Sequence, residues 1–148
     1  MASKFEGAAS RAATAGAAGN GWQRSPIVWQ VLSAVLLLAM GGIHLSLVFQ
    51  WARGLLGVLF VLNAIGGLVL AIAMLAARRR LLRLASLLSL LFMAGTLLAL
   101  VLALTVGLFG ITEQLSTALV VTTLIVESIG TVVLAVTTAL SFGTRRDA

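Results

Sequence analysis

Cysteine is absent from this sequence, which excludes disulfide frameworks, thiolate metal sites, cysteine nucleophiles and iron–sulfur clusters. Charge is scarce too: Asp, Glu, Lys and Arg make up 9% of 148 residues, against about 25% in a soluble domain. No recognisable catalytic or nucleotide-binding motif is present, and no connection between apolar runs is long enough to build a water-soluble active site. An enzyme is therefore the least favoured reading.

What the sequence has instead is apolar surface, with 61% hydrophobic residues in long unbroken runs. A soluble core cannot absorb that excess, so lipid is the expected solvent for most of the chain. The net charge of +6 does not point to nucleic acid, because the basic residues cluster between the runs rather than along a surface.

Residues 1–24 are rich in Ala, Gly and Ser and read as a flexible cytoplasmic tail. A cleaved signal peptide fits less well, since the first apolar run starts only at Ile27 and is too long for an h-region. Pro26, the only proline, suits the first turn of a helix, where its missing N–H costs nothing. Four helices are expected, over residues 27–49, 54–77, 81–106 and 113–142, with a short tail at 143–148. The four-residue break after the first run requires a tight hairpin. Gly107 and Gly110 bracket a turn, and Thr112 is a plausible cap for the fourth helix. Each run exceeds the ~20 residues needed to cross ~30 Å of hydrocarbon. A β-barrel would need period-two alternation, and these runs are continuously apolar. The expected fold is all-α, a four-helix transmembrane bundle running up-down-up-down.

Orientation follows from the basic residues. Lys4, Arg11, Arg24, Arg78, Arg79, Arg80, Arg83, Arg145 and Arg146 fall on one side of a four-pass chain, and only Arg53 on the other. Both termini are therefore expected in the cytoplasm. Trp22 and Trp29 then lie near the inner interface and Trp51 near the outer one, where indole rings prefer to sit. The cluster Arg78, Arg79, Arg80 and Arg83 is read as setting topology, with attraction to anionic lipid headgroups as a second effect.

Polar residues inside the spans are the candidate functional positions, since burying an unpaired charge in hydrocarbon costs several kcal/mol. Glu127 stands first. At 100° per residue, Ser116, Thr123, Gly130, Thr131, Thr138 and Ser141 lie within about 60° of it on one face. It is either a functional carboxyl or a neutral acid that fixes packing by hydrogen bonding to a neighbouring helix. His44, the only histidine, shares a face with Gln30, Ser33, Met40, Gly41 and Trp51, and belongs in the outer leaflet. It reads as a neutral hydrogen-bonding residue first, and as a ligand or proton carrier second. Asn63 lies beside Gly66 and Gly67, where another helix can approach closely and accept a bond from the amide. The third helix offers only small interface positions: Ala85, Ser86, Ser89, Thr96 and Ala103.

Glu113 is placed at the start of the fourth helix, where the helix dipole favours a carboxylate. Because Glu113 and Glu127 are separated by about 21 Å along one axis, at most one can join His44. Glu113 is expected to be the nearer in depth. No metal site or cofactor is expected, and a single histidine cannot supply both axial ligands of a bis-histidine haem.

The segments GGIHL around His44, LFVLNAIGGLVLA around Asn63 and TVGLFGITE ending at Glu113 resemble a family of small four-helix integral membrane proteins of actinobacteria. The resemblance implies the four-helix fold and a bacterial plasma membrane, makes His44, Asn63 and Glu113 parts of recurring segments, and brings no activity with it. The expected function is non-enzymatic: an accessory, assembly or packing subunit of a larger membrane complex. Its partners are then the lipid bilayer and other membrane subunits or further copies of the chain. The alternative is a small proton- or ion-coupled transporter using Glu127 and His44.

Overall fold

The computed structural model describes residues 26–50, 54–107 and 118–143, and all of the regular structure in them is helical. Four helices follow one another: α1 (Pro26–Gln50), α2 (Leu55–Ala76), α3 (Arg79–Thr105) and α4 (Ala118–Gly143). Each is long and apolar enough to cross a membrane. Lys4, Arg11, Trp22, Arg24, Trp51, Arg53, Gly110, Thr112, Glu113, Ser116, Arg145 and Arg146 lie outside the described residues.

The breaks have local causes. Pro26 opens α1, its fixed φ and missing N–H suiting the first helical position. Gly54 precedes α2 at φ 66°, a left-handed value that glycine adopts without a Cβ clash. Gly107, at φ 79°, follows α3 in the same region. Between α2 and α3 only Ala77 and Arg78 are extended. The expected arginine connection is therefore shorter than the sequence reading gave it, and Arg79, Arg80 and Arg83 sit on the first turns of α3. Arginine is a good helix former whose stem can lie along apolar surface, so nothing stops the helix from starting two residues before Leu81.

Packing is closest between α1 and α2, where glycines remove the side chains that would hold the backbones apart. A Cβ added at Gly67 would lie 2.8 Å from the Leu37 carbonyl oxygen, and one at Gly41 would lie 3.2 Å from the Ala64 carbonyl oxygen. Further along the pair, the His44 and Phe60 rings meet edge to face with centroids 5.4 Å apart. These pairings descend on α2 as they ascend on α1, so the two helices are antiparallel. On the opposite side, α3 and α4 pair Arg83 with Ser141 and Met93 with Gly130. Leu37, Met40, Met74, Met93 and Leu134 fill the centre with no exposed surface. The outward faces are Leu, Ile and Val along every helix.

Candidate functional site

Polar side chains enter this interior from α1, α3 and α4. Ala85, Ser86, Ser89, Thr96 and Ala103 of α3 are all buried, and Ser33 and His44 of α1 face them across the bundle with Thr123, Glu127 and Thr137 of α4. Thr131, Thr138 and Ser141 are only half-buried. The buried face of α4 thus includes Thr137, which the sequence stripe left out, and is rotated toward Gly130 and Leu134.

Most of these hydroxyls give their hydrogen to their own helix. Thr96 donates to the Met93 carbonyl at 2.9 Å, Thr123 to Leu119 at 2.7 Å and Thr131 to the Glu127 carbonyl at 2.7 Å. Back-bonding of this kind lets a hydroxyl enter an apolar interior without an orphaned hydrogen. Thr137 does the same to Val133 at 2.8 Å, so in the 2.9 Å contact between Ser33 and Thr137 it is Ser33 that donates. That bond ties α1 to α4 and fixes their register.

Counting from Ser33 and Thr137 at 1.5 Å per residue, His44 lies about 16.5 Å along α1 and Glu127 about 15 Å along α4. The two are level. Glu127 therefore shares a depth with His44, and the expected mid-membrane and outer-leaflet placements become one layer; the expectation for Glu113 falls outside the described residues. Thr96 stands beside the Glu127 carboxyl from α3. Asn63, half-buried, lies one turn along α2 from the Phe60 ring that touches His44. Each helix thus contributes at least one polar side chain to a slab about 5 Å thick.

Within the slab the groups face different neighbours. The His44 Nδ1–H donates to the Met40 carbonyl at 3.0 Å, which leaves Nε2 with its lone pair. Glu127 is 1% exposed, and its Oε2 has no hydrogen-bond partner among the described residues. No hydrogen bond joins His44 to Glu127 there either. Among the described residues no three His, Asp or Glu side chains come together in a way that could hold a metal ion.

The arginines divide. Arg78 and Arg80 are exposed, whereas half-buried Arg83 donates from Nε to the Ser141 carbonyl at 2.9 Å and holds its guanidinium 5.8 Å from the Phe142 ring centroid. It satisfies a carbonyl in the last turn of α4, where the helix dipole also favours a cation. Sequence reading missed this contact because nothing in the spacing of Arg83 and Ser141 announces it. Compared with known proteins, the chain matches no protein-family model, no curated protein and no solved structure.

Proposed function

We propose that this multi-pass membrane protein is a non-enzymatic subunit that packs within or helps assemble a larger membrane complex. The observation that carries the reading is a shallow groove on the outward side of α1 and α2, lined by Leu38, Gly41, Gly42, Leu45, Ala64 and Leu68. A Cβ at Gly42 would meet no atom of a neighbouring helix within 4 Å among the described residues. Small residues on an outward face let another helix approach its backbone closely, and close approach is what drives association in lipid. The groove suits a transmembrane helix of another subunit or of a second copy. Affinity purification from native membrane is expected to recover such a partner, and Gly42→Leu to release it. Recovery of a lone monomer throughout would remove the reading.

The basic residues support an up-down-up-down chain in a bacterial plasma membrane with both termini cytoplasmic. The resemblance to actinobacterial four-helix proteins supports the same membrane. A second reading, a proton- or ion-coupled transporter, is favoured by one observation: His44 and Glu127 share a depth. Flux driven by a pH gradient in liposomes tests it, and equal flux in wild type and Glu127→Gln would exclude it.

A further inference from the structure

We propose that Glu127 is a proton-binding site, a buried carboxylic acid beside the Thr96 hydroxyl whose proton exchanges with solvent. The inference stands apart from the subunit reading, since a bundle can bind a proton whether or not it packs against a partner. It is necessary for proton-coupled transport but does not imply it.

The argument is a census of hydrogens around one buried carboxyl. Thr96 gives its hydrogen to Met93, Thr123 to Leu119 and Thr131 to the backbone of residue 127, so these three hydroxyls have only lone pairs left. A carboxylate accepts hydrogen bonds and cannot donate, so among such neighbours it is left unsatisfied. A neutral acid carries no charge to be left without a partner in this interior, where the Oε2 of Glu127 has none.

No described counter-charge changes this result. On α3 the closest cation along the chain is Arg83, about 20 Å from Thr96 by helical rise and already bonded to Ser141. Arg79 and Arg80 lie further still along α3. The described part of α2 carries no titratable group, and α1 carries only His44, whose Nδ1 hydrogen is committed to Met40. A larger cation would need several oxygens around it, and Glu127 lines neither of the grooves along α1 and α2.

The test uses the full chain in liposomes and a hydrophobic carbodiimide. The carboxyl proton moves to a carbodiimide nitrogen, the carboxyl oxygen bonds the central carbon, and the O-acylisourea rearranges to an N-acylurea that keeps every atom of both reactants. One adduct is expected on the peptide containing Glu127, formed more slowly as pH rises, and absent from Glu127→Gln. Thr96→Val, which removes the hydroxyl beside the carboxyl, should move the pH at which labelling halves. Labelling indifferent to pH would overturn the proposal, and where the buried carboxyl forms no adduct the infrared measurement that follows decides. Should Glu127→Gln fail to fold, infrared spectra of the wild-type protein decide: the protonated-carboxyl stretch should shift when water is replaced by D2O. A band that never shifts marks a buried acid that does not exchange, and the proposal fails.

Discussion

The α1–α2 contact sets up the sharpest stability experiment, because glycines in similar helices differ in what a methyl group would meet. In Gly67→Ala the new Cβ stands 2.8 Å from the Leu37 carbonyl oxygen and 3.4 Å from the Gly41 Cα, both backbone atoms that move only if the helices separate. In Gly95→Ala it meets nothing within 4 Å. Both substitutions gain the same intrinsic helix preference, up to about 1 kcal/mol, so that contribution cancels between them. What remains is overpacking at a rigid contact, about 1–3 kcal/mol against Gly67→Ala. Gly130→Ala belongs between them, since its clash at 2.8 Å is with the end of the flexible Met93 side chain. Reversible unfolding in bicelles or mild detergent, followed by circular dichroism, measures the order. Equal stability of Gly67→Ala and Gly95→Ala would refute close backbone packing at this crossing.

Three further outcomes are expected. Glu127→Lys should destabilise far more than Glu127→Gln, because it puts an ammonium among buried side chains at about 2.5–3.5 kcal/mol or more; equal melting of the two in detergent would place residue 127 in water. A double-mutant cycle on Ser33→Ala and Thr137→Ala should return a coupling of about 0.6 kcal/mol, typical for a hydrogen bond between membrane helices, and zero coupling would mean that the 2.9 Å contact holds nothing together. Single cysteines at Trp51 or Thr112 should react with an impermeant thiol reagent in intact cells while those at Arg79 or Arg145 stay protected, against no background thiol; reversed labelling would overturn the orientation drawn from charge.

Helix number and apolar character were legible because each depends on runs of about 20 residues, long enough for composition to dominate chance. Facing was legible where small residues recur at helical spacing. Ala85, Ser86, Ser89, Thr96 and Ala103 look like an interface in the sequence and are buried in the bundle. The α4 stripe was legible only in part, because an arc centred on Glu127 takes in Thr131 and Thr138 within about 40° and leaves Thr137 outside at about 80°. The pattern alone does not say whether the buried face is centred there or turned toward Thr137. Packing breaks that tie: Met93 fills the space over Gly130, and the side turned toward it carries Thr137 and Leu134 inward.

Depth was the property the sequence could not supply. An expected helix over 113–142 has its middle near residue 127, and one over 27–49 leaves His44 six residues beyond its own middle, which predicts different levels for the two polar groups. Such estimates inherit every error in the helix ends, and the ends are where hydrophobic patterns are weakest. A contact between helices carries no such error. The 2.9 Å bond from Ser33 to Thr137 ties residue 33 to residue 137 directly, and the constant rise then carries both helices to His44 and Glu127 at one height. Two short polar side chains with no catalytic signature therefore hold the information about which of the rarer residues share a layer. Disturbing that bond bears on the alignment of His44 with Glu127 about 15 Å away, where any joint role for the two has to be met.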